Sequence, residues 1–227
     1  MSKLFNFLII ALSLFGLYLF TNSSKTTNRT TLKIENLSDD TITAYLTLDD
    51  NGKDWVSDVN GIFGITSDEK LQGGVILAPN QILSYTSDKP FAGNVSFNQL
   101  PLNCPFPAPT LFEFTLNNHG TVSKAQETSD ISCVYGVTSI GKITFSGGGF
   151  WNSGQNDIVY EIQNDSIYKN TGLKGVYPYG CTTCTGRSGM IDCNNKKKYE
   201  KVNKKSICNI QRDASKNGGV VKISFIK

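Results

Sequence analysis

The residues in this chain best suited to chemistry are cysteines, four of which lie close together near the C-terminus. Cys181 and Cys184 form a Cys-x-x-Cys pair, which Cys193 and Cys208 follow. Thiolates at this spacing can share a tetrahedral zinc ion, or they can oxidise to disulfides in an exported protein. A redox-active pair is disfavoured because no helix N-terminus is evident to lower a thiol pKa. We expect disulfides and no metal, because the chain begins with an export signal.

Two further cysteines lie upstream, so that the total is even, as a set of disulfides requires. Cys104 and Cys133 are one candidate pair, but the connectivity of six cysteines stays open. The predicted disulfide cysteines are Cys104, Cys133, Cys181, Cys184, Cys193 and Cys208.

Two carboxylates on predicted strands are the next candidates. Glu113 alternates with Phe112 and Phe114, so the two phenylalanines face one side of the strand and Glu113 faces the other. An outward carboxylate is ordinarily solvated, and contact with a ligand is the alternative. Asp130 either opens the following strand as a turn residue or has a binding role. The residues alone leave both alternatives open.

Histidine chemistry has little support in the composition. His119 is the only histidine, and it lies in the polar turn at residues 117–120. A catalytic triad or a His-rich metal site is very hard to build from one such residue. We therefore expect no metal, no cofactor and no efficient catalysis.

Aromatic residues are concentrated in the loop-rich last third of the chain. Rings on exposed loops can stack against sugar faces, although packing into the core is the commoner arrangement. The residues concerned are Phe150, Trp151, Tyr160, Tyr168, Tyr177 and Tyr179.

The charge distribution bears on the kind of partner. The formal net charge of +3 arises from a lysine-rich run at residues 196–205, and the rest of the chain is slightly acidic, so a nucleic-acid partner is not expected. The run is either a solvated face or a site for an anionic polysaccharide or phospholipid headgroup. Residues 196–206 are also the one helical candidate.

The N-terminal segment indicates export. Met1 to Lys3 precede an uncharged apolar segment from Leu4 to Phe20. Its length lies between a signal-peptide core and a membrane span, so cleavage after Ser23 and retention as a signal anchor both stay open. We predict a signal at residues 1–23, a polar stalk at 24–30 and one domain at 31–227, in the secretory pathway and either extracellular or anchored at a membrane surface.

Asn-x-Ser/Thr sequons agree with export, although such sequons also arise by chance in an Asn- and Ser-rich chain. One begins at Asn22, beside the predicted cleavage point. The predicted glycosylation sites are Asn28, Asn36, Asn94 and Asn164.

Alternation of apolar and polar residues predicts an all-β domain. Residues 31–35 and 41–48 are predicted to form an opening hairpin, and residues 220–226 a closing strand beside it. A proline cluster at 101–109 and a Gly- and Cys-rich stretch at 172–195 are predicted loops. Further strands are predicted at residues 75–77, 82–85, 94–97, 110–116, 131–137, 142–145 and 157–162.

Three stretches in order resemble a thaumatin-like protein. The first is the opening strand Thr31-Leu-Lys-Ile-Glu-Asn, and the second joins Ala78-Pro-Asn-Gln to Phe91-Ala-Gly-Asn. The most specific match is Leu111-Phe-Glu-Phe-Thr-Leu-Asn followed by Asp130-Ile-Ser-Cys-Val-Tyr-Gly-Val. The resemblance covers residues 31 to about 140 and the last strand.

The resemblance implies a β-sandwich of about ten short strands with a loop-rich, disulfide-bearing C-terminal third. It also implies an acidic cleft in which Glu113 and Asp130 take the places of the family's Glu and first Asp. The family's Arg is replaced by Asn94 and another of its Asp residues by Tyr135. The family's dense cysteine framework is reduced to at most three disulfides.

Many members of this family bind β-glucans or other wall polysaccharides, and some hydrolyse glucans weakly. The resemblance therefore implies a polysaccharide ligand for this chain. We expect a carbohydrate-binding module without efficient catalysis, because the carboxylate set is incomplete. The alternatives are a weak β-glucan hydrolase using Glu113 and Asp130, and a purely structural surface protein anchored through its N-terminal segment. The Asn- and Lys-rich composition suits an AT-rich genome, such as that of a virus. If the source is a virus, the surface that carries this protein would be the surface of the virion.

Overall fold

The computed structural model describes residues 28–49, 62–63, 71–87, 89–100, 109–118, 126–133, 136–151, 159–161, 175–177, 181–183, 187–191, 197–200 and 210–227. Almost all of its regular structure is β, as the sequence predicts. The strands are β1 Thr30–Asn36, β2 Ile42–Leu48, β3 Gln72–Leu77, β4 Ile82–Thr86, β5 Phe91–Phe97, β6 Leu111–Leu116, β7 Gln126–Ser132, β8 Gly141–Ser146, β9 Val159–Glu161, β10 Val176–Tyr177, β11 Cys181–Thr183, β12 Arg187–Ile191, β13 Lys197–Glu200, β14 Ile210–Asp213 and β15 Gly219–Phe225.

Two sheets form the sandwich. The first has five strands in the order β4-β1-β15-β8-β9, and the second has seven, in the order β10-β7-β6-β5-β2-β3 with β14 also paired to β7. The closing strand β15 pairs with β1, as predicted, and the two strands run parallel with Ile34 opposite Ile223. A separate three-stranded sheet has the order β11-β12-β13.

The core fills the space between the two large sheets. Alternate residues of each strand point inward, which is why the Phe112, Phe114 and Leu116 face of β6 is buried. Aromatic contacts cross from one sheet to the other, with ring centroids 4.7 Å apart for Tyr85 and Phe91. Phe97 lies 5.1 Å from Phe225 in the same way. Burial of such side chains is the main term that stabilises the sandwich.

The predicted opening hairpin is wrong. Strands β1 and β2 belong to different sheets, because the chain crosses the sandwich between them. The buried side chain of Asn36 supports the crossing: its amide donates to the carbonyls of Asp40 (2.7 Å) and Leu77 (3.1 Å), and its oxygen accepts from the Ser38 amide (3.0 Å). Alternation along a strand reports which face is buried and not which strand lies next to it.

The same contacts correct a second prediction. Asn36 is fully buried, and its side-chain nitrogen is engaged in two hydrogen bonds. A glycan needs that nitrogen in solvent, so the predicted glycosylation at Asn36 is wrong. Asn28, by contrast, is exposed.

Three further segments differ from the sequence predictions. Strand β7 begins at Gln126 and not at residue 131. Residues 197–200 are a strand and not a helix, and the predicted loop at 172–195 contains β10, β11 and β12.

Trp151 is buried against Phe145, at 4.4 Å between ring centroids, so it is not available to stack on a sugar. Phe150 beside it is 61% exposed.

A buried ion pair joins the two sheets at one end of the sandwich. Arg212 on β14 contacts Glu127 on β7 at 2.6 Å, and both side chains are almost completely buried. Arg212 also donates to the Thr30 hydroxyl (2.9 Å) and to the Gly218 carbonyl (2.7 Å), and its guanidinium lies 4.5 Å from the Trp151 ring centroid. Thr30 begins β1 and Gly218 precedes β15, so the contacts reach both sheets.

Asn117 completes this network. Its backbone amide donates to Glu127 at 2.8 Å, and its side-chain nitrogen donates to the carbonyls of Thr30 (3.2 Å) and Ser87 (3.0 Å). The Thr30 amide donates back to the Asn117 side chain at 2.8 Å. Asn117 has a φ of 55°, a left-handed conformation that asparagine tolerates better than most residues.

Several predictions lie outside the described residues. They concern the apolar segment from Leu4 to Phe20, Cys104, His119, Tyr135, Asn164, Tyr168, Tyr179, Cys184, Cys193 and Cys208. Within the described ranges, no helix has the length and apolar character that a membrane crossing requires. Cys133 is described, and it is a buried free thiol, so the predicted disulfide at this position is not formed in the structure.

Replacing Arg212 with methionine should leave Glu127 as an uncompensated buried carboxylate. We expect the free energy of unfolding, measured by urea denaturation, to fall by about 3–5 kcal/mol. Lys222→Met is the matched control, because Lys222 pairs with Glu35 at 2.9 Å but is 33% exposed. Such a pair contributes about 0–1 kcal/mol. Equal losses in the two variants would contradict a structural function for the buried pair.

Cys133 should be unreactive in the native protein, because burial raises the pKa of its thiol to about 12. Iodoacetamide should leave it unmodified in the folded chain and modify it after denaturation without reductant, as read by peptide mass spectrometry. Protection that persists in denaturant until a reductant is added would show that Cys133 is in a disulfide and overturn this assignment.

Candidate functional site

Four polar residues form one rung across the outer face of the seven-stranded sheet. Thr47 on β2 pairs with Asn94 on β5, Asn94 pairs with Glu113 on β6, and Glu113 pairs with Asp130 on β7. Directly opposite residues in antiparallel strands have Cβ atoms about 4.5–5.5 Å apart. The register therefore brings together Asn94, Glu113 and Asp130, three of the residues that the sequence indicated.

The close approach of β5 to β2 depends on Gly93. A Cβ atom at this position would lie 2.2 Å from the backbone oxygen of Thr47. Only glycine allows the two strands to pair here without displacement, and Gly93 is the neighbour of Asn94 in the rung. The local sequence thus holds Asn94 in line with Glu113.

The rung faces a cleft of about 340 Å³. A second line of polar residues, Thr115 and Thr128, is paired across β6 and β7 one step along the same face. Asp49 also lines the cleft, at the end of β2, where its backbone amide donates to the Ala92 carbonyl at 3.2 Å. The cleft therefore has three acidic side chains, from Asp49, Glu113 and Asp130.

Sequence reasoning missed Asp49. It begins the stretch Asp49-Asp-Asn-Gly, which has the composition of a turn, and nothing local connects it to Glu113. The available signal was its place directly after the alternating strand β2. Tyr135, which the resemblance places in the site, lies outside the described residues, and the predicted disulfide cysteines do not line the cleft among the residues described.

Glu113 and Asp130 act as one carboxyl pair. Their side chains hydrogen-bond to each other. Burial raises the pKa of Glu113, and burial together with the nearby Glu113 charge raises the pKa of Asp130 well above its ordinary value. Asp130 is consequently the harder of the two carboxyls to ionise, as in other dyads of two close carboxyls.

Three buried oxygen atoms of the rung have no hydrogen-bond partner within the described part of the chain. They are Oγ1 of Thr47, Oδ1 of Asn94 and Oδ1 of Asp130. Asp130 as a residue is only 9% exposed. Leaving a buried acceptor unsatisfied costs about 1–3 kcal/mol, so such atoms are rare in folded proteins. Their concentration on one rung beside a cleft indicates a place that a ligand completes.

The spacing of the dyad bears on catalysis. Glycoside hydrolases hold their two carboxyl groups about 5–5.5 Å apart when they retain configuration and about 6.5–9.5 Å apart when they invert it. Two carboxyls in direct hydrogen bond are closer than either arrangement and leave no room for a sugar or a water between them. A group of three Cys, His, Asp or Glu residues able to hold a metal ion is also absent among the residues that the structure describes.

Comparisons with known proteins found distant likeness to solved structures and nothing else. No family model and no curated protein matches the chain. Among solved structures, it is similar to the protein elicitor MoHrip2 from Magnaporthe oryzae, with 12% identity and a TM-score of 0.42 over 87% of this chain and 99% of that one. It is similar to the thaumatin-like xylanase inhibitor TLXI at 11% identity and a TM-score of 0.40, over 86% and 99% respectively.

The likeness is distant. The resemblance to thaumatin-like proteins noted in the sequence has a counterpart among solved structures, and the all-β sandwich is confirmed by the described strands themselves. At these identities and TM-scores, the comparisons carry no argument about what the cleft does. That argument rests on the residues of this chain.

Replacing Asp130 with asparagine should stabilise the protein at neutral pH. The pKa of Asp130 is raised in the folded state, so the folded protein holds this proton more tightly than the unfolded chain does. The contribution of protonated Asp130 to stability is therefore fully present below pH 3.8, and it is lost as pH rises through the raised pKa. Asparagine keeps a hydrogen-bond donor toward Glu113, but it does not ionise as pH rises. We expect a gain of roughly 1 kcal/mol at neutral pH, seen as a rise in Tm of about 2–4 °C.

Glu35→Gln is the control of opposite sign. Burial acts to raise the pKa of Glu35, but hydrogen bonds from Lys222 and Ser224 outweigh it and leave the pKa lowered. Its contribution is therefore present above the unfolded pKa and lost as pH falls through the folded value, so this variant should be less stable than wild type at neutral pH. An Asp130→Asn variant that loses stability as pH rises, in parallel with wild type, would contradict the raised pKa of Asp130.

Proposed function

We propose that this protein is a binding module that takes a carbohydrate in the cleft over the Asn94–Glu113–Asp130 rung and does not hydrolyse it. The observation that carries the proposal is the set of unpartnered buried acceptors on that rung. Sugar hydroxyls are hydrogen-bond donors, and they can satisfy acceptors that the protein leaves unmet. Thr115 and Thr128 add hydroxyls to the same cleft.

The geometry of the carboxyl pair supports binding over hydrolysis. A hydrolase needs one carboxyl as acid and a separate one as base or nucleophile. Here Glu113 and Asp130 hydrogen-bond to each other, and the pKa of each is raised, that of Asp130 more strongly. The weak-hydrolase alternative would need Asp49 to act as the second carboxyl. It predicts activity on β-glucans that Glu113→Gln abolishes, and no release of reducing sugar from any β-glucan would end it.

The cellular setting of the proposal is export. The apolar segment from Leu4 to Phe20 and the sequon at exposed Asn28 support a protein of the secretory pathway, whether released or held at a membrane surface. A binding cleft suits either setting. If the cleft binds no sugar, the remaining hypothesis is a structural surface protein that binds other proteins.

The test is a pull-down of the full chain on a panel of insoluble polysaccharides that includes β-glucan, cellulose, xylan and chitin. A double variant, Glu113→Gln with Asp130→Asn, changes the cleft and keeps side-chain size. Glu35→Gln is the matched control, because it neutralises a carboxylate on the five-stranded sheet, remote from the rung. We expect saturable binding to at least one polysaccharide, lost in the double variant and kept in the control.

Two results would refute the proposal. Binding that survives in the double variant would place the carbohydrate elsewhere on the molecule. No binding to any polysaccharide by folded wild type would favour the structural surface protein. Circular dichroism of each variant establishes that a loss of binding is not a loss of fold.

A further inference from the structure

Among the residues that the structure describes, the cleft offers a ligand hydrogen-bond acceptors and negative charge. None of the described residues that line it is basic. Within the same part of the chain, no positive charge contributes to the pKa of Glu113 or of Asp130. An amide, Asn94, stands beside the dyad where a cationic side chain would neutralise it.

The other buried carboxylates described in this fold each have a cationic side chain as a partner. Glu127 is paired with Arg212 at 2.6 Å, and Glu35 with Lys222 at 2.9 Å. Each of these carboxylates has a cation supplied by the chain itself. In the described part of the chain, the Glu113–Asp130 pair has no such cation beside it, and a positively charged ligand group would take that place.

The chemistry of the site limits what kind of cation suits it. The unpartnered oxygens of Asn94 and Asp130 are buried side-chain atoms of residues that line the cleft. An ammonium group is compact and has three donors, whereas a guanidinium is a broad planar fork. Among the residues that the structure describes, no group of three Cys, His, Asp or Glu side chains could hold a metal ion.

We propose that the ligand bears a primary ammonium group, which the rung receives through Asn94, Glu113 and Asp130, and that the ligand is an amino sugar with a free amine. The inference rests on the proposed function, because the rest of the cleft is assigned to sugar hydroxyls. The ammonium donates to Oδ1 of Asn94, to Oδ1 of Asp130 and to the Glu113 carboxylate. An acetylated amine loses the charge and two of the three donors.

The experiment compares two oligosaccharides that differ only at the amine. The full chain is titrated by calorimetry with a β-1,4-linked glucosamine tetramer and with the corresponding N-acetylglucosamine tetramer. We expect the glucosamine tetramer to bind at least about tenfold more tightly, because it makes charge-assisted hydrogen bonds. The protein's net charge of +3 opposes non-specific attraction of a cationic sugar.

Two variants separate the site from the fold. Glu113→Gln should weaken binding of the glucosamine tetramer by about tenfold, and Glu35→Gln should leave the affinity unchanged. Asn94→Lys places an ammonium beside the dyad within the chain. It should abolish the preference for glucosamine without lowering Tm, which keeps the test valid if Glu113→Gln fails to fold.

The outcomes distinguish this inference from the proposed function. Binding of neutral polysaccharides that depends on the cleft, with no preference for glucosamine, would overturn the inference and leave the proposed function intact. Binding of neither class would overturn both. Equal affinity for a lysine tetrapeptide would show that the ring contributes nothing and would also overturn the amino-sugar assignment.

Discussion

The buried ion pair between Arg212 and Glu127 is the constraint on which the rest of the structure depends. Removing two charges from water is costly, and their attraction offsets that cost only when every remaining polar atom is satisfied. Here Glu127 also accepts from Asn117, while Arg212 donates to Thr30 and to the Gly218 carbonyl. One register of β1, β7 and β14 satisfies all of these groups, so the network favours that register over its neighbours.

The register set by the ion pair also determines the cleft. Successive residues of a strand point to opposite faces, so Glu127 and Asp130, three positions apart on β7, lie on opposite sides of the sheet. Glu127 points into the sandwich toward Arg212, and Asp130 points outward beside Glu113. A slip of one residue in β7 would expose Glu127 and bury Asp130 in the core. One strand thus carries a carboxylate paired with a cation and a carboxyl whose pKa is raised well above its ordinary value.

The sequence predicted the parts of this arrangement that repeat locally. Alternation along β6 correctly separated Phe112 and Phe114 from Glu113. It failed at the start of β7, because Glu127 and Ser129 are polar residues on the inward face and leave no apolar pattern. It could not pair Glu127 with Arg212, which is 85 positions away. The partners of a strand depend on contacts of that range, which is why the opening hairpin was predicted and two separate sheets were found.

The Arg212–Glu127 ion pair and the Glu113–Asp130 carboxyl pair also differ in their effect on the stability of the folded state. The Arg212–Glu127 pair has its polar groups satisfied. Burial raises the pKa of both Glu113 and Asp130, the Glu113 charge raises that of Asp130 further, and an oxygen of Asp130 has no partner among the described residues. A fold under selection for stability alone would lose the second pair, since one neutral substitution removes the repulsion. Sites that cost stability in the free protein are characteristic of binding and catalysis. The unsatisfied oxygen and the raised pKa values of this pair are the features on which the proposed binding function rests.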